Sequence, residues 1–315
     1  MPRRGDPQSG LARAGSAAGR DQPFRHALRL PVAHRCDPFA ERQHGTPDGL
    51  QPRQRRVAVR GRITPLLLAL VLLTTLPVGR ALGPDVSARD VGRSVAWYPA
   101  VGGIIGLLLA LVAALTATAP ASVAGALLLI AWIGLTGGLH LDGLADATDG
   151  ALAGHRNRDR TLAVMAEPTA GPMAVIGLVT ILLTKYAGLV ALVSAPAGAA
   201  VGSWFCVPLF ARAAAAALMT STAYRRRDGI ARDQAAWRSA PRIWGAIAIS
   251  LLLGMLLLGL WTALLLACLS GLTVWLWRGF WQARIGGYTG DVAGALIEIV
   301  EAGLLVALAW GSGWA

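Results

Sequence analysis

From residue 63 onward the chain is built of apolar runs separated by short polar stretches. Seven runs, at about 97 to 117, 121 to 139, 172 to 194, 197 to 221, 243 to 260, 262 to 279 and 292 to 311, approach the ~20 residues an α-helix needs to cross a bilayer. An eighth, Ile63 to Val78, is short, carries Thr64, Pro65, Thr74, Thr75 and Pro77, and has Arg on both flanks. It predicts a re-entrant or interfacial hairpin rather than a span. Trp97, Trp244, Trp261, Trp281 and Trp310 fall near run ends, where an amphipathic ring favours the headgroup region. The predicted fold class is all-α: a polytopic integral membrane helical bundle of about seven transmembrane helices, with a short N-terminal hairpin, over residues 63–315.

Charge divides the chain differently. The 315 residues carry 29 Lys+Arg against 17 Asp+Glu, a net +12, in a sequence that is 55% hydrophobic. That pairing excludes disordered and ordinary soluble classes. Residues 1–62 hold 13 Arg and 5 acids, so two thirds of the excess sits on the leading fifth. This Arg/Pro/Gly-rich leader lacks the apolar run of about 7 or more residues that forms a signal-peptide core, and is predicted to be disordered and outside the functional protein. Arg53, Arg55, Arg56, Arg60 and Arg62 could touch anionic lipid, but stacking aromatics and nucleic-acid motifs are absent, so no nucleic-acid partner is expected. Cys36, Cys206 and Cys268 form no disulfide framework or zinc set.

Among the connections, Arg gathers on one side. Residues 140 to 171, 222 to 242 and 280 to 291 carry Arg156, Arg158 and Arg160, then Arg225, Arg226, Arg227, Arg232, Arg238 and Arg242, then Arg284, whereas the alternate connections are uncharged. The positive-inside rule makes the Arg-bearing side cytoplasmic.

The acids that stand out lie on that same side. Gly137-Gly138-Leu139-His140-Leu141-Asp142-Gly143-Leu144-Ala145-Asp146-Ala147-Thr148-Asp149-Gly150 spaces Asp142, Asp146 and Asp149 at i, i+4 and i+7, on one helix face. Like charges so stacked need a cation between them, and carboxylates alone suit Mg²⁺, with Mn²⁺ as a substitute. The alternative is a solvated acidic loop capping a helix. Gly143 and Gly150 are expected to keep the adjoining surface open for a phosphate. A second cluster, Gly286-Gly287-Tyr288-Thr289-Gly290-Asp291 with Gly294, Glu298 and Glu301, opens the last run with a Gly-rich turn that offers N–H groups to an anion. Glu298, Glu301 and Arg212 are costly in a membrane helix unless they pair or line a polar cavity. Asp291 and Glu298 are expected at the site, with Glu301 undecided.

At these residues the chain resembles the cobalamin synthase family, the adenosylcobinamide-GDP ribazoletransferases. The resemblance rests on Gly137 to Asp146 with Asp149-Gly150, on Gly286 to Asp291 with Gly294-Ala295 and Glu298, and on Arg93-Ser94, Trp97-Tyr98-Pro99 and Gly102. It covers about residues 63 to 311. Lys185 and Arg212 also fall where the family places basic residues. Glu167-Pro168-Thr169 departs from the family's Asp-Ser-Arg-like triplet, which puts one phosphate contact in doubt.

The resemblance implies a transferase of late cobalamin biosynthesis that joins adenosylcobinamide-GDP to α-ribazole, or its 5′-phosphate, with release of GMP. It implies Mg²⁺ on Asp142, Asp146, Asp149 and Glu298, a carboxylate base such as Asp149 or Asp291, and a lesser role for His140. Arg212, Arg156, Lys185, Gly143, Gly150, Gly287, Thr289 and Gly290 are the expected substrate contacts. A CDP-alcohol phosphatidyltransferase-like enzyme fits less well, because Asp146 rather than Arg follows Ala145. A transporter fits less well again, because no internal repeat is visible.

Overall fold

The computed structural model describes residues 52–83, 85–154, 157–195, 197–226 and 229–312. Residues 1–51, most of the leader, and Arg156 lie outside the described residues. Among the described residues twelve α-helices follow one another: α1 (Pro52–Leu73), α2 (Ala88–Ser94), α3 (Tyr98–Leu115), α4 (Ala121–Thr136), α5 (Leu139–Ala153), α6 (Arg158–Val164), α7 (Pro172–Ser194), α8 (Ala197–Ser221), α9 (Ile230–Trp237), α10 (Ala240–Leu258), α11 (Leu260–Ile285) and α12 (Gly290–Ser312). Among the described residues there is no strand beyond one isolated bridge. Six stretches are long and apolar enough to cross a membrane: Ala88–Leu115, which contains α3, and helices α7, α8, α10, α11 and α12. The bent pair α4–α5 would make a seventh.

α1 begins earlier than expected. Helix begins at Pro52 and runs unbroken through residue 62 into Ile63–Leu73. Its apolar part is only 11 residues, about 16 Å at 1.5 Å per residue and too short to cross. The chain then turns back through a 3₁₀ segment, Pro77–Ala81. Thr75 fastens this turn to the end of α4, its N–H donating to Leu135 O at 2.8 Å and its Oγ1 to Gly134 O at 2.8 Å.

The core sits on α8 and α12. Within their apolar windows 89% and 67% of residues are buried, against 17% for both α10 and α11. The outer helices present Leu256, Trp275 and other large apolar side chains outward, as lipid-facing helices must. α3 packs on α8 through Gly102 and Gly106, each so close to the α8 backbone that a Cβ would collide with it; small residues are what let membrane helices approach this way. Trp97, Trp244, Trp261 and Trp310 are exposed, but Trp281 is fully buried against Trp277 and Phe280. It is a core residue rather than a headgroup anchor.

Candidate active site

The bend between α4 and α5 creates the site. Gly137 and Gly138 have φ of 64° and 70°, the left-handed region that a residue with a Cβ adopts only under strain. Two such residues in succession turn the chain by 88°, and α5 leaves α4 to cross the start of α12. At the crossing a Cβ on Gly143 would stand 3.0 Å from Cα and O of Asp291, and one on Gly294 would stand 3.4 Å from Cα of His140. Asp142, exposed, and Asp291, partly buried, line one cavity of about 210 Å³. Asp146 follows one turn along α5, within electrostatic reach of Asp142, Asp149 and Asp291.

Arg226, expected only as a marker of topology, answers these acids. Its Nη2 lies 2.8 Å from Asp291 Oδ2 and donates to Met165 O at 2.9 Å. The isolated bridge holds it there. Arg225 N donates to Tyr288 O at 3.0 Å and Tyr288 N donates to Ala223 O at 2.9 Å, joining the chain after α8 to the turn before α12. Arg225 Nε adds a bond to Gly286 O at 2.6 Å. Gly287 is needed here because a Cβ would overlap the Ala223 carbonyl. Thr289 caps α12, its Oγ1 donating to Asp291 Oδ2 at 3.1 Å and accepting from Val292 N at 3.3 Å. Gly290 is exposed with open space around its Cα.

Other expected site residues are placed elsewhere. Asp149 is buried and caps a different helix: its Oδ2 accepts from Gly171 N at 2.6 Å and its Oδ1 from Ala174 N at 2.9 Å, at the start of α7. Gly150 does not open a surface, since Met165 and Thr161 of the α6 region pack onto it, and Gly143 is likewise a helix contact. Glu298 answers a cation of α7. Lys185 Nζ on α7 lies 2.9 Å from Glu298 and 2.6 Å from Glu301, and Arg212 on α8 pairs with Glu301; all four are at most 2% exposed. Lys185 Nζ also sits 4.3 Å from the Trp132 ring centroid on α4. This neutral set of two cations and two anions resolves the cost of charge inside a membrane bundle, and it places Lys185, Arg212 and Glu301 inside the bundle rather than at an open substrate surface. His140 lies between the two groups, buried, within electrostatic reach of Arg212 and Lys185. Neither of its ring nitrogens has a hydrogen-bond partner among the described residues.

The donor chemistry fits a hard divalent cation. Asp142, Asp146 and Asp291 bring only oxygen donors, their mutual repulsion is eased by the partly exposed Arg226 guanidinium, and oxygen donors of this kind suit a hard ion. Among the described residues no group of three or more His, Cys, Asp or Glu already converges to ligating geometry. Arg226 on Asp291 and the α7 amides on Asp149 account for two of the carboxylates.

Residues 65–309 match the cobalamin-5-phosphate synthase family. The chain belongs to that family. It is 44% identical over 246 residues to the adenosylcobinamide-GDP ribazoletransferase of Stutzerimonas stutzeri (strain A1501), covering 78% of this chain and 97% of the relative. It is 43% identical over 248 residues to that of Pseudomonas putida (strain GB-1), covering 78% and 99%. The corresponding protein of Ectopseudomonas mendocina (strain ymp) is 42% identical over 247 residues, covering 77% and 97%. No solved structure matches. As a member of the cobalamin-5-phosphate synthase family, the protein keeps both acidic motifs inside the matched span, and the α5–α12 crossing brings them together.

Proposed function

We propose that this multi-pass membrane protein transfers the adenosylcobinamide phosphoryl group from adenosylcobinamide-GDP to a ribose hydroxyl of α-ribazole or its 5′-phosphate, releasing GMP and forming adenosylcobalamin or its phosphate. The observation that carries this reading is the meeting of Asp142 and Asp146 with Asp291 and Arg226 at one helix crossing. The attacking oxygen forms a bond to the phosphorus on the cobinamide side of the diphosphate. The bridging P–O bond breaks, GMP carries away the electron pair, and the hydroxyl proton passes to a carboxylate.

For the base, Asp142 and Asp291 face the cavity, whereas both oxygens of Asp149 are engaged at α7. A general base must reach the proton it takes, which favours Asp142 or Asp291. Arg226 would move from Asp291 toward a diphosphate oxygen as substrate enters, since a guanidinium suits a phosphate fork. Asp142, Asp146 and Asp291 would hold Mg²⁺ or Mn²⁺, which supplies charge neutralisation at the diphosphate and on departing GMP. The exposed Gly290 leaves room for a ligand at the start of α12.

The Arg-bearing connections support a cytoplasmic orientation of this site at a bacterial inner membrane, by the positive-inside rule. GMP release from adenosylcobinamide-GDP and α-ribazole with Mg²⁺, in membranes expressing the full chain, tests the reading. No GMP, or transfer of a nucleotide-linked group to a lipid alcohol instead, would overturn it.

A further inference from the structure

The cavity at the α5–α12 crossing is more than an acidic mouth. Away from Asp142 and Asp291 its walls include Leu72 and Leu73 of α1, Met219 of α8, Ile230 of α9 and Ile297 of α12. Buried polar side chains share these walls. His140 is 3% exposed and Tyr288 0%, and neither the His140 ring nitrogens nor Tyr288 Oη has a hydrogen-bond partner among the described residues. Gln234, in the same wall, is by contrast satisfied, donating to Tyr98 Oη at 2.7 Å. Burying a polar group without a partner is unfavourable. Unpartnered atoms on two residues that line one apolar chamber point to a ligand that engages one of them.

Size and polarity narrow the ligand. An apolar cavity of about 150 Å³ already admits a benzene ring, so about 210 Å³ accommodates a fused two-ring heterocycle. It is below the roughly 300 Å³ at which whole drug-sized ligands are enclosed, and so holds neither a nucleotide nor a corrin. Burial raises the Tyr288 phenol above its ordinary value, which keeps it a donor at neutral pH. A neutral imidazole adds one N–H and one lone pair. Guanine would turn several donors and acceptors toward Leu and Ile walls, at a desolvation cost these few groups do not offset. A flat base with one free ring nitrogen makes no such demand.

Resting on the reaction proposed above, we infer that this chamber receives the base of the acceptor nucleoside: Tyr288 Oη or a His140 N–H donates to its free ring nitrogen, and the ribose points toward Asp142 and Asp291. The arrangement sets the attacking hydroxyl beside the acids by seating the ring behind them, a positioning effect. It also assigns specificity for the base to α1, α8, α9 and the turn before α12.

Steady-state GMP release by the full chain, with α-ribazole and adenosylcobinamide-GDP varied separately, tests this. Tyr288→Phe removes the donor and keeps the ring; Ala215→Leu narrows the chamber from α8. Each should raise KM for α-ribazole about tenfold, the size of one hydrogen bond or a few displaced methyl contacts, and leave KM for adenosylcobinamide-GDP within about twofold. A rise in KM for adenosylcobinamide-GDP instead, or a fall in kcat with both KM values unchanged, overturns the inference. Free benzimidazole guards against variants that misfold. Inhibition of the unsubstituted chain competitive with α-ribazole supports the chamber; inhibition competitive with adenosylcobinamide-GDP, or none, overturns it. If the unsubstituted chain releases no GMP, the reaction fails but the chamber is still testable by equilibrium dialysis of benzimidazole against the purified chain. Binding lost in Ala215→Leu supports the chamber, and absence of binding removes it.

Discussion

Gly143 of α5 and Asp291 of α12 touch backbone to backbone: a methyl group on the glycine would lie 3.0 Å from both Cα and O of the aspartate. The two acidic segments are 148 residues apart in the chain and meet only because one of them lacks a side chain here. Gly143→Ala should force the helices apart and lower GMP release at least about tenfold, since small displacements of aligned groups are costly to rate. Gly134→Ala, on α4 with open space around it, should leave activity and melting temperature unchanged. Equal loss in both variants would remove the crossing from the mechanism.

Asp142→Asn and Asp146→Asn keep size and remove charge. Each is expected to lower kcat by about 10²–10³, the scale on which single electrostatic contacts to a transition state are measured, with little change in melting temperature because both side chains reach the site surface. Chelation should abolish GMP release, and Mg²⁺ or Mn²⁺ should restore it. Full activity of Asp146→Asn in chelator would exclude a metal held there.

Asp149 behaves differently because it caps α7 from another helix. Asp149→Ala leaves Gly171 N and Ala174 N without their acceptor, and should cost about 1–3 kcal/mol of stability, read as a lower melting temperature in detergent. Asp149→Asn retains one acceptor and should lose less. A variant with unchanged stability and abolished turnover would return Asp149 to the reacting groups.

Lys185→Met leaves Glu298 and Glu301 facing a single Arg212 inside the bundle. Removing one partner of a buried pair costs about 3–5 kcal/mol, so this variant should accumulate poorly and melt early. Adding Glu298→Gln restores neutrality and should recover much of the loss, by thermal unfolding of the purified proteins. Failure of the double variant to improve on the single one would show that Lys185 acts by more than charge balance.

These outcomes also mark how far the sequence is legible. The spans are readable because an apolar run of about 20 residues has few other uses, and the α5 acids because spacing alone puts Asp142, Asp146 and Asp149 on one face. What spacing omits is the partner. Asp291 and Glu298 share a face of α12 two turns apart, yet one answers Arg226 from the chain after α8 and the other Lys185 from α7. Glycine is ambiguous in the same way: Gly143 and Gly150 look like room for a phosphate, but a missing Cβ equally serves another helix, and here it does. Arg226 was hidden because an arginine beside a span has a ready explanation in topology. Trp281 misled for a related reason, since nearness to a run end does not say which way a side chain faces.

The neutral set of Lys185, Arg212, Glu298 and Glu301 has a consequence for how the protein is made. The two cations leave the ribosome on α7 and α8, and both anions arrive on α12, the final helix. Until α12 is synthesised, the growing chain holds these two positive charges in lipid without the carboxylates that pair with them in the finished structure, a state several kcal/mol above the finished one. Synthesis of α12 is therefore coupled to stable residence of α7 and α8 in the bilayer, and a product truncated before α12 carries its own mark for removal.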